Sequence, residues 1–280
     1  MEYIQPRKGT AIVCAGGGMR SAHGAGFLYG VTAKLGIRNP EIVLGSSGNA
    51  ANVLYVATEI PEQYEAMRRI WTERLSTPRF ISYKRLRRII DIDYLIDAVF
   101  KEQEPLDIQA LGASPIRYFI PVTNARSGET KYIGREDKID PFEMLRASKA
   151  LPFFYGKKVP LPWGMFIDGE LGPTLEDHLR FTIEKGAKKI LVVDSGSEGT
   201  KAGALRKFLY ELFAWTKPTG LRHAILRDTR TESVCLTSEH ATLLCVQPRH
   251  LSAGMLTRDN KKIRDTFDAG VHDALSMKAD

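Results

Sequence analysis

The chain has 280 residues, 43% hydrophobic and 26% charged, which suits a folded protein with a sizeable core and excludes a disordered or fibrous one. No apolar run approaches the roughly 20 residues of a membrane-spanning helix, and the N-terminus lacks the apolar stretch of a secretory signal. The net charge of +7 favours anionic partners. The odd set Cys14, Cys235 and Cys245 has no metal-ligand spacing and fits a reducing, cytoplasmic compartment without disulfides.

The apolar run 10–14 reads as a buried strand. It ends in Ala15-Gly16-Gly17-Gly18-Met19-Arg20-Ser21, and a helix is expected over 22–36. A second strand, 41–45, ends in Gly45-Ser46-Ser47-Gly48-Asn49 and leads into a helix over 49–58. Helical segments are expected near 61–74 and 91–102. Extended segments at 116–123 and 129–135 flank the turn Ser127-Gly128. Asp140-Pro141 starts a helix over 140–149 that stops before Pro152. A short strand, 165–167, runs into Asp168-Gly169. A helix over 174–186, a strand at 188–194, a helix over 201–215, a strand at 241–246 and a helix over 258–278 follow. This alternation predicts one α/β domain over 1–280, with a central, mostly parallel sheet flanked by helices on both faces. Ligands bind such sheets at the carboxyl ends of the strands, where both glycine-rich turns lie.

The glycine triplet suits close approach of backbone N–H groups to a negative oxygen, with Arg20 as a nearby fixed charge. A phosphate loop would need a Gly-Lys-Ser/Thr ending, which is absent. A dinucleotide fingerprint would need glycine at position 21, where Ser21 stands, and an acidic residue where the second strand ends in Gly45-Ser46-Ser47.

The second turn has the small residues of a nucleophile elbow, Gly-x-Ser-x-Gly. Gly45 precedes Ser47 by two and Gly48 follows it, but Asn49 takes the place of the last glycine. Reading Ser46 as the nucleophile restores the trailing glycine and puts Leu44 where the leading one belongs, so Ser47 is preferred. A plain strand-to-helix turn with a capping serine is the simpler alternative. Asp168 at a strand end can serve as general base to Ser47, or merely form an Asp-Gly turn. A histidine triad would order Ser47, then Asp168 or Asp194, then His240 or His250; the single strand–helix unit before Ser47 argues against it. His23 more simply makes local hydrogen bonds at a helix start.

Together these motifs resemble the patatin-like phospholipase family. Gly16-Gly17-Gly18-Met19-Arg20-Ser21 with Gly26-Phe27-Leu28 matches its glycine motif. Gly45-Ser46-Ser47-Gly48-Asn49 with Ala50 and Asn52 matches its nucleophile motif. Ala147-Ser148-Lys149-Ala150-Leu151-Pro152 matches its Ala-Ser-x-Ala-x-Pro block, and Asp168-Gly169-Glu170 its Asp-Gly motif. Val122-Thr123-Asn124 and Ser127-Gly128-Glu129 resemble the preceding hairpin. The likeness covers about 8–195, leaving a basic helical region at about 201–232 and a C-terminal strand and helix at about 241–278. It implies the family's three-layer fold and a serine acyl hydrolase of phospholipid or related lipid esters. Ser47 would be the nucleophile, Asp168 its base, and the loop of Gly16, Gly17 and Gly18 with Arg20 the oxyanion hole. Ser21, Asn49 and Glu170 depart from the pattern. They keep open a weakly catalytic lipid-binding relative, besides a hydrolase of soluble acyl esters or thioesters.

Two segments, 79–88 and 201–230, mix cations with large apolar groups. Such segments can lie on anionic membranes, so a peripheral site at a membrane is expected alongside the simpler reading that the apolar groups pack inward. Neither has aromatic platforms for nucleic acid, so no nucleic-acid partner is expected. No calcium loop is visible, and neither metal nor cofactor is expected.

Overall fold

The computed structural model describes residues 7–85, 88–196, 214–228 and 241–277. Strand β1 (Arg7–Cys14) leads through the glycine loop into helix α1 (Ala22–Tyr29), which ends in a wider turn, Gly30–Lys34. β2 (Pro40–Gly45) leads through the serine turn into α2 (Ala50–Ala57). α3 (Pro61–Arg69) likewise ends in a wide turn, Ile70–Arg74. In α4 a first turn, Ile92–Tyr94, passes into a π-helical stretch, Leu95–Gln103. α5 (Ile108–Ala113), capped by Asp107, was not anticipated from the sequence.

The antiparallel pair β3 (Arg117–Asn124) and β4 (Thr130–Ile133) matches the expected hairpin. α6 (Pro141–Ser148) starts at Pro141 behind the Asp140 cap. β5 (Val159–Leu161) and β6 (Gly164–Ile167) form a second hairpin, of which only β6 was expected. α7 (Leu175–Glu184) opens on a capping box made by Thr174 and Asp177. β7 (Lys189–Val193), α8 (Thr219–Asp228), β8 (Thr242–Val246) and α9 (Asn260–Ser276) complete the described chain. α8 lies within the basic helical region expected at about 201–232; the separate helix expected over 201–215 lies almost wholly outside the described residues.

The eight strands form one mixed sheet in the order β5-β6-β3-β2-β1-β7-β8, with β4 added on β3. The run β3-β2-β1-β7-β8 is parallel; β4, β5 and β6 are antiparallel. Side chains alternate across the parallel strands. Ala11, Val13, Ile42 and Leu44 enter the core under α7, while Ile12, Cys14 and Val43 face α1, α2, α3, α6 and α9. The expected three layers, helices on both faces of the sheet, are what the chain forms. Among the described residues no helix is long and apolar enough to cross a membrane.

The strand β3 positions the site. Its residues Arg117 to Phe119 pair with β2 in parallel, and Thr123 and Asn124 pair with β6 antiparallel. β2 and β6 therefore run toward each other beside β3. Their carboxyl ends, carrying Ser47 and Asp168, meet beside residues 120–122.

Candidate active site

Ser47 sits just past the end of β2 with φ +45°, the left-handed region that a serine rarely occupies. This bend turns its hydroxyl out of the strand direction, as a nucleophile elbow requires. Ser47 Oγ donates to Asp168 Oδ2 at 2.8 Å, and the two residues are 5% and 0% exposed. Asp168 Oδ1 accepts the Glu170 N–H at 2.9 Å. Burial is the largest influence on this carboxyl and pushes its pKa up to about 7; the Ser47 and Glu170 hydrogen bonds oppose that rise.

The glycine loop lies against the elbow: a Cβ at Gly16 would fall 2.8 Å from Ser47 Cβ. The Gly16 N–H is taken by Glu170 Oε1 at 2.6 Å, and the same oxygen accepts the Ser46 hydroxyl. Met19 N–H goes to the Met255 carbonyl at 3.0 Å. Among the described residues the amides of Gly17 and Gly18 have no such protein acceptor. Arg20 Nε donates to the Gly17 carbonyl at 3.3 Å, so it braces the loop. The Glu170 carboxylate turns toward the loop and ends 3.8 Å from the buried ring of His178, while its charge raises the pKa of Asp168.

Asn49, which replaces the last elbow glycine, is fully buried and fully used. Its Nδ2 donates to the Ala15 carbonyl at 2.6 Å and to Ser195 Oγ at 2.9 Å, and its Oδ1 accepts from Asn52 at 2.8 Å. Asn52 in turn accepts from Trp71 Nε1 at 2.8 Å. The room comes from Gly24, where a Cβ would lie 2.4 Å from Asn49 Oδ1. The substitution thus ties the elbow to the glycine loop instead of leaving the turn malformed.

The Ala-Ser-x-Ala block holds both sides together. Ser148 Oγ accepts the Ser47 N–H at 3.3 Å, and the Ser148 carbonyl accepts the Gly169 N–H at 3.2 Å. The Ala150 carbonyl accepts the Asp168 N–H at 3.1 Å. Lys149 Nζ donates to the Ser47 carbonyl and, at 3.3 Å, to that of Gly48. The roles of Ser148 and Lys149 do not show in the sequence of the block, because their partners on the serine turn lie about 100 residues away in the chain.

An apolar cavity of about 50 Å³ borders Ser47, Gly18 and Lys149 and runs among Tyr55, Trp71, Phe80, Leu95 and Phe100. That is room for a few water molecules, so an acyl chain would have to displace flexible side chains.

The remaining candidates lie elsewhere. His23 is buried and pairs through Nε2 with Asp273 Oδ2 of α9 at 2.8 Å, a long-range contact in place of the local bonds expected of it. Burial lowers its pKa. Asp194 accepts from Gly196 N–H and Gln247, and His250 is exposed. His240 lies outside the described residues. Most of the first basic segment is folded into the body. Phe80 and Ile81 are buried, and Arg85 and Arg88 pair with Asp91 and Asp93. Among the described residues no three His, Cys, Asp or Glu side chains cluster as metal ligands.

The model of the patatin-like phospholipase family matches residues 12–176, more than half of the chain. The chain belongs to this family. Among solved structures it is similar to VipD from Legionella pneumophila, at 11% identity and a TM-score of 0.47, over 96% of this chain and 66% of that one. It is also similar to human GIVD cytosolic phospholipase A2, solved with a methyl gamma-linolenyl fluorophosphonate inhibitor and terbium chloride. That match has 12% identity and a TM-score of 0.36, over 95% of this chain and 57% of that one. The patatin-like chain thus spans just under two thirds of the first and less of the second. No curated protein matches it.

Proposed function

We propose that this patatin-like protein hydrolyses phospholipid or related lipid esters through Ser47 and Asp168. The hydrogen bond from Ser47 Oγ to Asp168, beside an apolar cavity, carries this reading. As Ser47 Oγ bonds to the acyl carbon, its proton passes to Asp168 Oδ2. The oxyanion takes hydrogen bonds from the amides of Gly17 and Gly18; Gly16 is committed to Glu170 and serves to fix the loop. The helix that opens after Ser47 adds its positive dipole end. The proton then moves to the leaving alkoxide as the ester C–O bond breaks. Water attacks the acyl-serine, gives its proton to Asp168, and the proton returns to Ser47 as the fatty acid leaves. Asp168 must be ionised to accept a proton, so the rate is expected to climb as pH rises through about 7. The narrow cavity favours a second substrate class, soluble esters of short acyl chains.

Both readings are tested with 4-nitrophenyl esters of graded chain length and mixed phospholipid vesicles. Ser47→Ala and Asp168→Asn are each expected to lose at least about 10³-fold in kcat/KM. Activity equal to wild type in both variants would refute the pair. A wild type inert on every ester would leave a lipid-binding relative as the better reading.

A further inference from the structure

Lys149 is 6% exposed, and the proposed chemistry leaves its amino group unused. A buried lysine normally needs a carboxylate partner or becomes neutral. Here its amino group is directed at two carbonyl oxygens, those of Ser47, the left-handed residue of the bend, and of Gly48 beside it. Its flanking residues, Ser148 and Ala150, bind the backbone of Ser47, Gly169 and Asp168. Three consecutive residues thus grip both partners of the reacting pair, and only one of them does so with a charge.

We propose that Lys149 is a positioning residue for the nucleophile. Its buried ammonium clamps the Ser47 and Gly48 carbonyls, holds the strained bend, and stands as the counter-charge that favours Asp168 as a carboxylate. This inference rests on the Ser47–Asp168 reading above.

Two opposed effects set the charge of this pair. Burial pushes Lys149 down to about 7 and Asp168 up to about 7; each partner's charge resists the shift of the other. The other charged group facing them is Glu170, whose carboxylate raises Asp168 further. On the far side of the ammonium lies the Phe100 ring, with its centroid 6.0 Å from Nζ. Without the cation, Asp168 must rise, and the acidic limb of the pH–rate profile must move to higher pH.

The experiment compares wild type, Ser47→Ala, Lys149→Met and Lys149→Gln as full chains on a 4-nitrophenyl ester. Methionine fills the space with neither donor nor charge. Glutamine keeps N–H donors for the two carbonyls without the charge. Lys149→Met is expected to lose about 10- to 100-fold in kcat with KM little changed, the scale of loss that small misplacement of a reacting group produces, and to shift its acidic limb upward. Lys149→Gln is expected to recover part of kcat while keeping the shifted limb. Folding is checked by circular dichroism and urea midpoint. Wild-type kcat and an unmoved limb in both folded variants would overturn the inference, as would a change confined to KM. Failure of both variants to fold would also overturn it, since Lys149 would then be a strut of the fold. An inactive wild type, or one indifferent to Ser47→Ala, would instead sink the underlying hydrolase reading.

Discussion

Glu170 stands where the family carries a small residue, and its side chain bridges the two glycine-rich turns by accepting from Gly16 and Ser46. That bridge carries a negative charge close to Asp168, which adds to the rise in its pKa. Glu170→Gln keeps an oxygen acceptor for both donors and removes the charge. Asp168 should then ionise more readily, and the acidic limb of hydrolysis should move down by roughly 0.5–1 pH unit. A limb that stays in place or moves up in the pH–rate profile would contradict this account. At this scale the sequence was partly legible. Ser47 and Asp168 stand out because small residues and strand ends surround them. Lys149 sits in a recognisable block, yet nothing in its neighbours announces a buried ammonium; its partners lie about 100 positions away in the chain. The direction taken by the Glu170 side chain is likewise set by contacts with distant turns.

Among the elements, α1 and α9 cross at unusually close range. A Cβ at Gly26 would lie 1.9 Å from the Phe267 carbonyl oxygen, and one at Gly270 would lie 2.0 Å from that of His23. The pair of buried His23 and partly exposed Asp273 spans the same crossing. Gly26→Ala should therefore destabilise the fold by about 3 kcal/mol through overpacking, measured as a fall in urea midpoint. Gly112→Ala, in α5 with nothing within 4 Å of its Cβ position, should be neutral or slightly stabilising. Equal midpoints for the two variants would count against the close crossing. Helix periodicity placed α9 well, because its buried residues recur with the helical turn, whereas α1 is buried all round and follows the glycine-rich turn. It missed β5, a three-residue strand that contains Pro160 and exists only as the edge partner of β6. It missed α5 for a related reason, since that helix is short and takes its definition from the Asp107 cap.

For the molecule as a whole, net charge and surface decide where the site can work. The chain carries +7, and Trp215 is 72% exposed with Arg222 stacked 5.5 Å from its ring centroid. We propose that the protein meets its substrate at an anionic membrane surface. Co-sedimentation with phosphatidylserine vesicles should fall steeply as salt is raised, and binding indifferent to salt and lipid charge would exclude this mode. The mixed sheet was readable in outline from the alternation of strands and helices. Of its antiparallel strands β4 and β6 were expected and β5 was not; the direction of β6 matters, because it brings Asp168 in from the opposite direction to β2. No backbone ladder joins those two strand ends; residues 148–150 bridge them instead. The reacting pair therefore spans a seam in the sheet, stitched by one short segment at the end of α6. The Ser47–Asp168 contact therefore depends on where the end of α6 holds residues 148–150, and not on the two strands alone.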